Sequence, residues 1–87
     1  MVMETNEKLR MAILETVDNQ IKSKKPPATV QTLERLKKLG YSEEDARLLI
    51  GQCVAVEFFH VFNKSTPFDE KRFIKNLNKL PAEPFDD

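Results

Sequence analysis

The residues predict an all-α protein, a four-helix single-domain bundle with a long, mostly buried third helix. Three observations carry that reading. Apolar residues recur at intervals of three and four in four separate stretches, and none alternates with the period of two that a strand needs. Proline, glycine or small polar residues punctuate the stretches, as the start and stop signals of helices do. The third stretch, Ala46 to Phe62, holds twelve apolar residues among seventeen. At ~100° per residue these surround nearly the whole circumference, so such a helix demands cover from the rest of the chain.

The first helix is expected from about Thr5 to Ile21, with Leu9, Ala12, Ile13, Val17 and Ile21 as its inward stripe and Thr5 as N-cap. Pro26 and Pro27 lack amide protons and push the preceding residues toward extended geometry, so a loop is expected there. The second helix follows from about Val30 to Leu39, capped by Thr29, with Val30, Leu33 and Leu36 inward. Gly40 supplies a left-handed stop, and Tyr41 behind it can fold back on Leu36 in a Schellman ending.

Ser42 then starts the third helix, Glu43 to about Phe62. Its hydroxyl is placed to cap the Asp45 amide, and Glu43, Glu44 and Asp45 complement the positive end of the helix dipole. Mid-helix Gly51 costs about 1 kcal/mol relative to alanine, which close packing of a neighbouring helix explains. The fourth helix begins at Asp69 as N-cap, with Phe68 and Phe73 spaced as a hydrophobic staple. Phe73, Ile74, Leu77 and Leu80 point inward, and Pro81 ends the helix. Residues 1–80 form the domain on this reading, and 81–87 a mobile acidic tail.

A chain of 87 residues and 10.1 kDa fits one core. Area scaling gives ~64% of the surface buried on folding, enough for a marginal domain that a dimer would help. Lysine plus arginine number 14 and aspartate plus glutamate 14. No global field therefore draws nucleic acid or an anionic membrane. The longest uncharged run, Leu48 to Val56, is far short of the ~20 residues that cross a bilayer. Cys53 is the single cysteine, and no charged-then-apolar leader follows Met1. A cytoplasmic setting is expected.

Three constellations have chemical potential. Cys53, Glu57 and His60 lie at offsets of four and three, on one face of the third helix. A Glu-x-x-His pair is the inward element of di-metal sites in helix bundles, which need a second pair and further carboxylates. A two-fold dimer could bring the second pair, with Glu15 as the extra carboxylate. The simpler reading is a half-buried His60 bonded to Glu57 or backbone, with Cys53 a small core residue. Cys53 has no neighbouring cation or helix N-terminus to activate it, which argues against catalysis, and no cofactor is implied.

Phe58, Phe59 and Phe62 form the second constellation: leftover apolar surface that favours a homodimer. Arg72, Lys75 and Lys79 form the third, along one side of the fourth helix. Residues 64–80 hold five bases and two acids, whereas 41–63 hold one base and four acids. Such a stripe is usually a solvated face, and no aromatic platform interleaves it for stacking on bases.

The run Leu36-Lys37-Lys38-Leu39-Gly40-Tyr41-Ser42-Glu43-Glu44-Asp45-Ala46 resembles the first turn of a ubiquitin-associated domain, although the third helix runs on where that module would break. Over a longer span the chain resembles a family of small bacterial all-helical domains of unknown function. That span includes Asn6-x-x-Leu9 to Ile21, Pro26-Pro27, Leu33-x-x-Leu36-x-x-x-Gly40, Glu43 to Gly51 and Pro67-Phe68-Asp69. The second resemblance implies His pairs on the first helix and at the start of the third. The matching positions here are Arg10 and Leu14, then Glu44 and Leu48, so a four-His site is absent. Glu57 and His60 fall where the family commonly has polar or acidic residues.

The expectation is therefore a non-enzymatic interaction or structural module, homodimeric, with its protein partner unknown. The second reading is a metal-binding protein using Glu57 and His60 across a dimer. The third is a weak nucleic-acid binder.

Overall fold

The structure, a computed structural model, describes residues 2–82, with side chains from Glu7 onward. From residue 83 the expected acidic tail lies outside the described residues. The architecture is an all-α four-helix bundle: α1 Val2–Ser23, α2 Pro27–Lys38, α3 Glu43–Lys64 and α4 Glu70–Lys79. Helix α3 is the hub, packing against all three others, while α2 also touches α1 and α4.

Two starts differ from expectation. Helix α1 begins at Val2, so Thr5 lies inside it rather than at its cap. Nothing between Val2 and Thr5 is a proline or glycine that would stop the helix earlier. Helix α2 begins at Pro27, with Pro26 as an N-cap that makes no side-chain bond. The prolines thus open a helix, because a fixed φ and a missing N–H suit its first positions. Thr29 is released from capping; fully buried, its hydroxyl donates to Gln20 Oε1 at 2.8 Å and ties α2 to α1.

The other boundaries follow the capping residues. The Tyr41 amide donates to the Leu36 carbonyl at 3.1 Å and the Gly40 amide to Lys37 at 3.0 Å, with Gly40 at φ 109°, the full Schellman pattern. The Asp45 amide donates to Ser42 Oγ at 3.0 Å, and the Arg72 amide to Asp69 Oδ1 at 3.1 Å. The Phe68 and Phe73 rings meet edge to face, centroids 5.2 Å apart, as the staple requires. Two stops place a residue other than glycine at positive φ: Lys24 and Ser65 adopt φ of 60° and 54° at the ends of α1 and α3.

Val17, Leu33, Leu36, Ala46, Ile50, Cys53, Val54, Phe73, Leu77 and Leu80 make the core. Of the stripe expected on α1, Leu9 and Ala12 stay exposed, while Ile13 and Ile21 pack against the core. A Cβ on Gly51 would sit 3.2 Å from Ile13 Cγ2 and 3.9 Å from Leu14 Cδ2. The absent side chain is what lets α1 lie this close to α3. Arg35 of α2 reaches the far end of α4, donating to the carbonyls of Leu77 at 2.9 Å and Leu80 at 2.8 Å. A guanidinium there bonds the closing carbonyls of α4 and complements the negative end of the dipole.

Candidate functional site

Helix α3 has two chemically different faces. The inward one brings together Cys53, Glu57 and His60, all buried, as their spacing predicts. Between them and α4 stands an ion pair. Arg72 Nε donates to Glu57 Oε2 at 2.6 Å and a terminal guanidinium nitrogen donates to Oε1 at 2.8 Å. The Asp69 amide adds a third bond to Oε1, also at 2.8 Å. Glu57 is 0% exposed and the Arg72 side chain 16%. The Asp69 cap and the phenylalanine staple set the first turn of α4, and that turn aims Arg72 inward. A carboxylate bonded this way is fixed in orientation and tolerable in a core, where an unpaired charge would not be.

This arrangement corrects the expected basic patch. Arg72 leaves the surface stripe to neutralise Glu57, so its side chain does not join exposed Lys75 and half-exposed Lys79 on an outer face. The cause is that Glu57 is the one acid in the apolar run from Ala46 to Phe62, and a buried acid takes the nearest strong cation.

The same geometry bears on metal chemistry. Both Glu57 oxygens are engaged by Arg72 and the Asp69 amide, and Glu15 is exposed on α1. Among the described residues, no group of three or more His, Cys, Asp or Glu side chains is gathered in a way that could hold a metal ion. His60 is 5% exposed; its carbonyl accepts from the Ser65 amide and the Thr66 hydroxyl, and its ring meets Phe59 at a centroid distance of 5.7 Å. Burial, and then the nearby Glu57 charge, push the Cys53 thiol up to about 12. It stays protonated and enclosed at neutral pH, the opposite of an activated nucleophile.

The outward face of α3 is apolar. Phe59 is 46% exposed, Phe62 67% and Leu48 38%. The helix is therefore sheathed only in part, because three neighbours cannot cover a whole circumference. Of the three phenylalanines expected at an interface, Phe58 is half-buried against the core and meets Phe62 edge to face at 5.8 Å. Phe59 and Phe62 carry the exposed area. Lys64 Nζ stands 6.0 Å from the Phe59 ring centroid, at the outer reach of a cation–π contact.

Two open grooves flank the helix ends. One lies between the end of α1 and the start of α3, lined by Asp18, Lys22, Glu43, Glu44 and Arg47. Its sides are joined by a two-bond Asp18–Arg47 ion pair at 2.8 Å. The other lies over the α3–α4 loop, beside His60, Thr66 and Lys71. Among the described residues, no helix is long and apolar enough to cross a membrane. No protein-family model matches the chain, and neither the curated proteins nor the solved structures contain a match to it.

Proposed function

We propose that the protein is a non-enzymatic interaction module that docks a partner on the outward face of α3. The observation that carries this reading is the exposure of Phe59 and Phe62 on a helix whose other sides are packed. Water contact with large aromatic rings costs free energy, roughly 25 cal/mol per Å² of apolar area, and a docked partner recovers it. The face is held firmly: the Ser42 cap, the Gly51 approach of α1 and the Glu57–Arg72 pair fix the helix that presents it. A rigid, pre-formed apolar surface binds at a smaller ordering cost than a loop would.

A cytoplasmic setting fits a lone thiol that is buried and protonated. The bidentate pairing of Glu57 weighs against the metal-binding reading, and the inward turn of Arg72 weighs against nucleic-acid binding.

A photo-reactive phenylalanine analogue at position 62, activated in the cells that make the protein, tests the reading. Covalent adducts at this position, lost on moving the analogue to exposed Lys75, are the expected result. Equal labelling at both positions, or none at either, contradicts it.

A further inference from the structure

We infer that the chain carries a second docking surface, at the end of α2, and that its occupant is the chain's own segment Glu83 to Asp87, with Phe85 over Leu39. Leu39 is 59% exposed, although it continues a stripe whose earlier members face the bundle. Thr32 and Leu36 on that stripe are buried, and Arg35 bonds the closing carbonyls of α4. Leu39 lies three residues beyond Leu36 and four beyond Arg35, and its φ of −76° and ψ of −7° keep it in helical geometry. It therefore stands on the α4 side of α2. Helix α4 ends at Lys79 and stops short of covering it.

The path of the chain selects the occupant. Arg35 donates to the Leu80 carbonyl at 2.8 Å, so the last turns of α2 and α4 end side by side. Phe85 comes five residues after Leu80, a reach of up to ~17 Å, whereas Leu39 is one helical turn, ~5 Å, past Arg35. The exposed rings of Phe59 and Phe62 lie near the start of α4, so the segment would have to retrace that helix to meet them. Charge agrees with reach. The last turn of α2 carries Arg35, Lys37 and Lys38, that of α4 carries Lys79, and Glu34 is the one acid on α2. Lys37 is paired with Glu43 at 3.6 Å, which leaves Lys38 as the cation beside Leu39. The segment brings three acids in five residues, Glu83, Asp86 and Asp87, around a single ring. Pro84 holds the residue before it in extended geometry and so lowers the ordering cost of docking. Joined to α4 by Pro81 and Ala82 alone, the ring meets Leu39 at the millimolar effective concentration of a short linker, enough for a small contact to form.

The test is made on the full chain by nuclear magnetic resonance and urea titration. Nuclear Overhauser contacts between the Phe85 ring and the Leu39 methyls are the expected result. Leu39→Ala and Phe85→Ala should each lower the folding equilibrium constant roughly fivefold, and the double variant should lose no more than either single change. Leu39 is outside the core, so its replacement leaves the fold in place. Lys38→Glu should weaken the contact about twofold, and less at high salt. Additive losses in the double variant, no loss in either single one, or Phe85 contacts to other residues overturn the inference. So do random-coil shifts across residues 83–87.

Discussion

Arg72 grips both carboxylate oxygens of Glu57, at 2.6 and 2.8 Å, and so fastens the start of α4 to the buried side of α3. Fifteen residues separate the two in sequence, and the loop between them is held at its far end by the same carboxylate through the Asp69 amide. The pair is the polar centre of the bundle, and its removal in parts and as a whole should behave very differently.

Arg72→Met leaves the Glu57 charge enclosed without a counter-charge and should lower stability by about 3–5 kcal/mol. Glu57→Leu combined with Arg72→Met removes both charges and should cost far less than the single change. Urea denaturation of wild type, Arg72→Met, Glu57→Leu and the double variant forms a double-mutant cycle. Equal losses in the single and double variants would mean that the pair is not the element being tested.

Cys53 gives the alkaline behaviour. Its pKa is raised from 9.0 to about 12 in the folded protein. The folded state then holds the thiol proton where the unfolded state has released it. This contribution is fully present below pH 9 and is progressively lost as pH rises from about 9 to about 12. Cys53→Ala should flatten the slope of stability against pH in that window while lowering stability at pH 7 through the cavity it leaves. A thiol reagent at pH 8 should modify wild-type Cys53 only at the rate of unfolding. Fast labelling of the native protein would contradict the enclosed position.

Gly51 reports on the α1–α3 contact. Alanine there gains about 1 kcal/mol of helix propensity but must push Ile13 from a 3.2 Å approach, so Gly51→Ala should change stability little. Gly51→Val has no such balance and should cost about 1–3 kcal/mol through overpacking. Thermal unfolding checks both, and a stabilising valine would show that the helices are not in close contact at this point.

The capping residues that made the helix boundaries legible in the sequence should carry measurable stability. Ser42→Ala and Asp69→Ala should each cost about 1 kcal/mol in denaturant titrations. A change below about 0.3 kcal/mol in both would mean that the side-chain oxygens are not bonded to the Asp45 and Arg72 amides in solution.

Much of the architecture is readable because side-chain chemistry is local at helix ends. Gly40, Ser42, Asp69 and the Phe68–Phe73 staple act on neighbours within five residues, so their roles follow from spacing alone. The stops at Lys24 and Ser65 are hidden because ordinary residues take the left-handed conformation there. The face shared by Cys53, Glu57 and His60 is legible from helical periodicity, but the partner of Glu57 is not, since it arrives from another helix. Arg72 looks like a surface residue at its own position. Only the requirement that a buried acid finds a cation hints otherwise, and that requirement does not name which cation. Thr29 and Arg35 escape for the same reason: their bonds to Gln20 and to the end of α4 are tertiary.

The central claim is that α3 is held by its inward face and binds by its outward one. Phe59→Ala/Phe62→Ala tests it most directly, read by urea denaturation and by adduct formation from a photo-reactive analogue at exposed Gln52, on the same face. The account predicts a urea stability within about 1 kcal/mol of wild type together with loss of the adducts. A variant weakened by several kcal/mol, with adducts formed as in wild type, would place both rings in the core and contradict the account.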